Sequence, residues 1–511
     1  MDHELAYVCT APANNYQEDL EIASSTRTAK SVDCIMSHLS HPSMTVSLEN
    51  LGSLRHAELQ LNDFTIVTGE NNTSKTYLTH AIYGVMGFFK DQLDLLGSQG
   101  KIKPTKPGMW EFDLQVILDN LESNLKFASI LYVHHLPQVM SAPRKRFEKT
   151  TISVSLPINP DVLERPLSQR TRPLPGGFFL VEKAENETTI RVTKVGEDLG
   201  EIPEFVIRDL VSKELSKFIF GEDIFNAFIA STERTGAVTF KNELNLTKNR
   251  LIGIAHEMGN DSKVTPMKIW EALQSSAYAI AIRDNLDFLT TVSSLTGVES
   301  QIAKNYPHIL TDFEDILGGS LVIQDSSNDF FFQPQGDKKT QLTIGECSSS
   351  VRSLIILGFY LRYLASPGGL LIIDEPELNL HPKNQRRLTR LLAQLCNAGV
   401  RVFITTHSDY IVREVNLLVL LEQARTAGSS LHTTLGYSDS DLLCSDRVSI
   451  YTLVRSRDKV PSDSKKPTKD RVLLRRSEIR KGVGICETTF DETISSMNNV
   501  HREVLGVLED C

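Results

Sequence analysis

At 511 residues the chain is long enough for two or three domains with sizeable cores. An apolar fraction of 41%, a charged fraction of 23% and a net charge of −10 suit a globular protein; they argue against one that coats nucleic acid over its whole surface, though not against a local basic track. The seven cysteines are scattered without metal-like pairing, no apolar run reaches membrane-spanning length, and the N-terminus lacks a signal-peptide core, which together predict a cytoplasmic protein with no membrane partner.

Residues 1–42 are polar and without periodicity, and read as an N-terminal extension. Thr45–Asn50 begins a strand, Leu51-Gly52 turns, and Ala57–Leu61 returns antiparallel. Phe64–Thr68 is a third strand, followed by Gly69-Glu70-Asn71-Asn72-Thr73-Ser74-Lys75-Thr76 and a helix from Tyr77 towards Phe89. This is the phosphate-loop pattern G-x-x-x-x-G-K-[ST], with Ser74 in place of the second glycine. Such a loop wraps backbone N–H groups round a phosphate at a helix N-terminus, while Lys75 reaches the β/γ oxygens and Thr76 offers a hydroxyl to Mg²⁺. Ser74 adds a Cβ where phosphate lies close.

Between about Leu95 and Gln341 the character changes. Trp110–Leu118, Phe127–Val133, Thr151–Leu156, Phe178–Glu182 and Thr188–Val195 read as strands, with loops at Pro143–Arg146 and Arg172–Pro175. Phe205–Phe218 and Met267 to about Leu295 read as helices. In Ala230-Ser231-Thr232-Glu233-Arg234-Thr235-Gly236, Arg234 either reaches a phosphate, couples the stretch to the site, or pairs with Glu233 or another carboxylate.

Serines Ser348-Ser349-Ser350 open an apolar helix through Leu354–Leu364. Leu370–Ile373 then forms a short apolar run ending in Asp374-Glu375-Pro376-Glu377. A helix follows, with Pro382 near its start, Leu388, Leu391, Leu392 and Leu395 on one face, and Gly399 past its end. Arg401–Thr406 is a second apolar run, ending at His407. Short runs bounded this way are buried parallel strands, and α/β sheets hold ligands at the carboxyl ends of such strands, which places Asp374, Glu375 and His407 at one rim. Helix continues from Asp409 to Leu421. Ser438-Asp439-Ser440-Asp441 reads as a solvated loop rather than a second metal site. Arg455–Lys481 holds eleven basic residues against four acidic ones, suited to nucleic-acid phosphates, an acidic partner, or a solvated hairpin. Phe490, Ile494, Met497 and Val500–Val504 suggest a closing helix.

The Leu-Glu-Asn strand, the Gly turn, the Gly-x-Asn-Asn loop, the stretch Asp374–Pro382 and Thr405–Ser408 together resemble the heads of ABC-type ATPases of the SMC/RecF/OLD branch. That resemblance implies an α/β fold, an ABC-type P-loop ATPase head with a mixed sheet and flanking helices, split by an inserted α+β arm. The implied division is an N-terminal extension 1–42, head 43–95, arm 96–340, head 341–425, and a C-terminal basic segment with closing helix 426–511. It implies ATP and Mg²⁺ as cofactors. Gly69, Asn71, Asn72, Thr73, Ser74, Lys75 and Thr76 would bind nucleotide, Thr76 and Asp374 the metal. Glu375 would act on the attacking water, with His407 and Lys75 beside the γ-phosphate. Ser348 and Ser349 resemble the ABC signature, which meets a γ-phosphate held by another subunit and so implies a homodimer or higher homo-oligomer. Stand-alone proteins of this shape include PtuA- and AriA-like ATPase subunits of bacterial anti-phage defence systems, which control a separate nuclease or toxin. The alternatives are a self-contained OLD-like nuclease, a DNA repair ATPase, or a non-hydrolysing nucleotide-gated scaffold; contact with nucleic acid stays open.

Overall fold

The computed structural model describes residues 43–97, 100–171, 177–196, 202–241, 243, 278–324, 329–337, 339–456, 471–486, 499, 500 and 502. The expected N-terminal extension, the loop at 172–175, the first part of the Met267–Leu295 helix and nearly all of the closing helix lie outside these residues. Strands β1 (Met44–Leu51) and β2 (Leu54–Leu61) form an antiparallel hairpin, and β3 (Phe64–Gly69) runs into helix α1 (Lys75–Gln92). There follow β4 (Met109–Asp113), α2 (Leu114–Asp119), α3 (Leu121–Met140), β5 (Thr151–Ser155), β6 (Leu167–Arg170), β7 (Gly177–Lys183), β8 (Thr189–Gly196), α4 (Glu204–Phe220), β9 (Ala227–Ala230) and α5 (Arg234–Thr239). After residue 278 come α6 (Ile280–Thr291), α7 (Gln301–Asn305), α8 (Pro307–Leu317), β10 (Gly319–Gln324), β11 (Asp329–Pro334) and β12 (Leu342–Thr343). The remainder is α9 (Ser349–Tyr363), β13 (Leu370–Asp374), α10 (Pro382–Asn397), β14 (Arg401–Thr406), α11 (Asp409–Thr426), α12 (Leu431–Thr434), β15 (Val448–Ser456), β16 (Arg471–Arg476), β17 (Glu478–Arg480) and β18 (Gly484–Cys486).

One nine-stranded sheet organises these elements, in the order β5-β1-β2-β16-β15-β3-β14-β13-β9. Its five strands from β15 to β9 are mutually parallel, so their carboxyl ends share one edge. The middle of this half is covered on both faces. All five residues of β13 are buried, and Val402–Thr406 of β14 are too, which is why both read as continuous apolar runs without alternation. Each buried Leu or Ile there contributes roughly 1.5–3 kcal/mol of transfer free energy. β5 and β9, though far apart in the chain, are both strands of this sheet. β4-β8-β7-β6 and β10-β11-β12 form separate sheets.

Three expectations are corrected. Phe127–Val133 is not a strand but the middle of α3, whose buried residues Leu121, Leu125, Ala128, Tyr132, Leu136 and Val139 recur at helical spacing. The apolar run there mixes core residues with the exposed Phe127, Ile130 and Leu131, which hid the period. Trp110–Leu118 is a strand only to Asp113, whose side chain accepts from Gln115 N and starts α2. Asp441 is not in a solvated loop: it is buried, accepting from Ser438 N (2.8 Å) and Gln394 Nε2 (2.9 Å). The basic hairpin is β15–β16, antiparallel, with its connection at 457–470 outside the described residues.

Candidate functional site

The sheet edge gathers chain segments that are remote in sequence. β14 lies between β3 and β13, with Thr406 opposite Thr68 and Thr405 opposite Asp374, so the ends of three neighbouring strands carry the P-loop, His407 and the acidic pair. β9 ends beside Ile373, and Leu453 of β15 stands opposite Gly69.

Ser74, at the second-glycine position, has φ +69° and ψ 26°, the left-handed conformation that glycine adopts most cheaply. The serine keeps the backbone shape of the loop. Its hydroxyl pairs with Ser53 Oγ at 2.6 Å and accepts from Ser53 N at 3.2 Å, tying the loop to the β1–β2 turn. Thr73 Oγ donates to Glu70 O, and Arg455 Nη2 donates to Asn71 O at 2.8 Å. Asn71 and Asn72 are exposed.

Lys75 is buried and folds back over its own loop, donating to Gly69 O (2.9 Å) and Glu70 O (2.7 Å). Desolvation lowers its pKa to about 8, against the opposing pull of Glu375, Asp374, Glu377 and Glu70. Three carboxylates of the rim therefore act on this one ammonium group.

Asp374 is 1% exposed, and burial raises its carboxyl pKa; Thr405, the charge of His80, and Thr76 oppose the shift. Thr405 Oγ donates to Oδ1, whereas Oδ2 is buried with no hydrogen-bond partner among the described residues. A buried carboxylate oxygen left without a partner, on a residue that the Thr76 hydroxyl also influences, suits a hard cation, which takes oxygen ligands of this kind. The pair Thr76 and Asp374 thus fits Mg²⁺.

Glu375 has φ +52°, a conformation a non-glycine residue adopts only when its surroundings hold it. Its N–H donates to Thr405 O at 3.1 Å, and its carboxylate lies 3.4 Å from His407 Nε2. The His407 hydrogen bond, that residue's charge, Lys75 and Arg234 keep the Glu375 carboxyl below the usual range, so it stays ionised. Glu377 accepts from Thr406 Oγ (2.9 Å) and from His407 N (2.6 Å), anchoring the loop after β13 to the tip of β14.

Arg234 forms no carboxylate pair; of the expected roles it takes the one that couples the inserted segment to the site. It is buried, and its guanidinium donates to four backbone carbonyls: Ser231 (2.9 Å), Ser353 (3.0 Å), Asp374 (2.7 Å) and Glu375 (2.7 Å). Desolvation brings its pKa down to about 10, with the charges of Asp374, Glu377, Glu375 and Glu233 opposing. It staples β9, β13 and α9 together beneath the acidic pair. His80, one turn along α1 from Thr76, is also buried, and burial lowers its pKa. Neither Arg234's partners nor His80 had a sequence signal beyond position, because carbonyls belong to every residue.

Ser348 and Ser349 are exposed at the start of α9. Ser348 caps the helix by accepting from Val351 N at 3.3 Å and pairs with Ser350 Oγ. Among the described residues their hydrogen bonds stay within the helix start, and none joins them to the P-loop of the same chain.

The fold is that of a P-loop ATPase: a mixed α/β sheet with flanking helices, the loop Gly69–Thr76 after one strand and an acidic pair after another. Residues 153–413 match the family described as "AAA domain, putative AbiEii toxin, Type IV TA system", and the chain belongs to that family. It is also 30% identical over 128 residues to the vitamin B12 import ATP-binding protein BtuD of Citrobacter koseri, a match covering 25% of this chain and 46% of that one. The chain therefore spans under half the length of that curated relative. Among solved structures it is similar to an SMC head bound to the C-winged helix domain of ScpA (11% identity, 85% of this chain and 98% of that one, TM-score 0.34). Another is the SMC head with an extended coiled coil bound to the C-terminal domain of ScpA from Pyrococcus furiosus (10% identity, 89% and 98%, TM-score 0.31).

Proposed function

We propose that the chain binds and hydrolyses ATP as an ABC-type ATPase working as a head-to-head dimer or higher homo-oligomer. The observation that carries this reading is the meeting of Lys75 and Thr76 with Asp374, Glu375 and His407 at the ends of three adjacent parallel strands. In this reading the head comprises 43–95 and 341–425 around the inserted 96–340, flanked by the extension 1–42 and the C-terminal segment 426–511.

Lys75 would exchange the carbonyls of Gly69 and Glu70 for β/γ-phosphate oxygens, and the N–H groups of Gly69–Thr76 would surround the phosphate. Thr76 and Asp374 would hold Mg²⁺, which when bound supplies neutralisation of phosphate charge. Glu375 stays ionised and is fixed by His407, which suits it to orient a water and to hold a proton at its carboxylate as the water attacks. The exposed Ser348 and Ser349 would meet the γ-phosphate held by a second subunit.

We read the biological role as that of a regulatory ATPase in an anti-phage defence system, acting on a separate nuclease or toxin in the cytoplasm. The toxin–antitoxin wording of the family description supports a defence setting. The alternative of a self-contained nuclease needs metal-binding carboxylates at Asp439 and Asp441. Here the oxygens of Asp441 accept from Ser438 and Gln394, and Asp439 lies 3.0 Å from His432.

The test is a pair of variants. Glu375→Gln is expected to bind ATP, lose turnover and accumulate as an ATP-dependent dimer in size-exclusion chromatography, while Lys75→Ala is expected to bind no nucleotide. Equal nucleotide affinity in the wild type and Lys75→Ala would sink the reading.

A further inference from the structure

Three buried side chains behind the strand ends each keep a polar atom with no hydrogen-bond partner among the described residues: His80 Nε2, Ser231 Oγ and Asp374 Oδ2. The three residues are 5%, 0% and 1% exposed. Folded proteins leave few such atoms, because each costs the desolvation of a group that gains nothing in return.

The sheet brings all three to one side. Side chains alternate along a strand, and Leu370 and Ile372 of β13 pack in the core shared with Leu78 and Ile82 of α1, whereas Leu371 and Ile373 belong to the other core. Asp374 continues the first set and so lies on the α1 side. Ile229 of β9 shares that core, Ala230 does not, and Ala230 stands opposite Ile373 in parallel register. Ser231, the next residue, therefore comes level with Asp374 on the α1 side, and Arg234 Nη1 donates to the carbonyls of both. α1 packs against β9 and β13, and His80 lies four residues after Thr76, one turn further along the same helix face. Burial lowers the His80 pKa against the charges of Asp374 and Glu233, so the ring is neutral at pH 7 and can accept a hydrogen bond at one nitrogen.

The chemistry of these atoms selects what they serve. Magnesium sheds its waters reluctantly and keeps several when one or two protein oxygens and a phosphate hold it. The waters it keeps are donors, and they need acceptors close by. A serine hydroxyl and a neutral imidazole nitrogen both accept, while a ring nitrogen is a poor direct ligand for so hard a cation. We propose that His80, assisted by Ser231, is a positioning residue of the cation site: the two accept hydrogen bonds from waters kept by the ion that Thr76 and Asp374 hold. This inference rests on the nucleotide-site reading above and extends it to two residues outside the P-loop pattern and the acidic pair.

The test measures the affinity of the full chain for a fluorescent, non-hydrolysable ATP analogue in Mg²⁺ and again in EDTA, so that the ratio of the two reports the cation. Mg²⁺ is expected to tighten binding to the wild type. His80→Leu is expected to cut that gain about 10-fold and to leave affinity in EDTA within about 2-fold, as for loss of an outer-shell partner of a metal. His80→Gln, which keeps an acceptor, is expected to restore most of the gain, and Ser231→Ala to lose about 3-fold of it. The melting temperature of His80→Leu in EDTA is expected to hold or rise, because an apolar group replaces an unpartnered polar one. An unchanged Mg²⁺ gain in His80→Leu, an equal loss in EDTA, or a loss that His80→Gln does not relieve would each overturn the inference and leave the nucleotide site standing. A wild type that binds the analogue equally well in Mg²⁺ and in EDTA would overturn the cation site of Thr76 and Asp374, and this inference with it.

Discussion

The P-loop and the acidic rim face each other across the ends of β3, β14 and β13, yet they are held in opposite ways. The rim is locked from behind: Arg234 spans four carbonyls, Thr405 holds Asp374, and Thr406 with the His407 N–H holds Glu377. Among the described residues the P-loop is held mainly by its own carbonyls, through Lys75 and Thr73, with further ties from Ser53 and Arg455. Carboxylates gathered in a buried place repel one another and are stable only in a rigid frame with a cation nearby. A loop that must close round phosphate needs donors that can be released. Damage to the rim should therefore cost folding free energy, and damage to the loop should cost binding.

The largest expected effect is on the rim. Arg234→Met removes a buried cation of similar reach, leaves four carbonyls short of a donor and strips the acidic pair of its neutralising charge. Unfolding free energy in urea is expected to fall by about 3–5 kcal/mol. A loss below about 1 kcal/mol would mean that the rim holds itself. Lys75→Ala should behave in the opposite way: nucleotide affinity falls at least ~100-fold, about 2.7 kcal/mol, while stability changes by less than about 1 kcal/mol. Fluorescent-nucleotide binding and urea titration on the same preparation separate the two.

The lowered pKa of Lys75 gives a pH signature that the rim does not share. Folding takes this lysine from 10.5 to about 8, so between those values the unfolded chain binds more protons, and this group's cost to stability diminishes as pH rises through that window. Nucleotide binding has the opposite sign, because the phosphate requires the charged form. Above pH 8, affinity is expected to weaken by up to ~10-fold per unit, with proton uptake on binding. Calorimetry in buffers of different ionisation enthalpy measures that uptake, and Lys75→Arg should abolish it. Uptake that persists in the arginine variant would assign the proton to another group.

Much of this comparison is legible in the residues themselves. The loop pattern, the two apolar runs, the helix punctuation by Pro382 and Gly399 and the serine cap of α9 are local signals, and each element lies where those signals place it. What holds the rim is not legible, because the partners of Arg234 are backbone carbonyls brought together only by the folded sheet. β15 is a second instance. Val448–Val454 has strand composition, but nothing local says that it will pair beside β3 and bring Arg455 onto the P-loop. α3 failed for a different reason, since its exposed Phe127, Ile130 and Leu131 masked the helical period of its buried face.

The smallest effect tests the weakest tie. Ser74 holds a left-handed backbone that a glycine would adopt without strain, and its hydroxyl is shared with Ser53 in the β1–β2 turn. Both residues are near the surface, so one hydrogen bond there is worth about 0.5–1.5 kcal/mol. Ser53→Ala releases the hydroxyl and leaves Ser74 in its strained conformation with one restraint fewer. Affinity for a non-hydrolysable ATP analogue is expected to fall about 3-fold, within that range. Ser74→Gly loses the same pair but also removes the strain, so it should bind as well as the wild type or better, and adding Ser53→Ala to it should change nothing further. Should Ser53→Ala weaken binding equally in both backgrounds, the hydroxyl pair would not be what shapes the loop, and the P-loop would hold its form as independently as the rim.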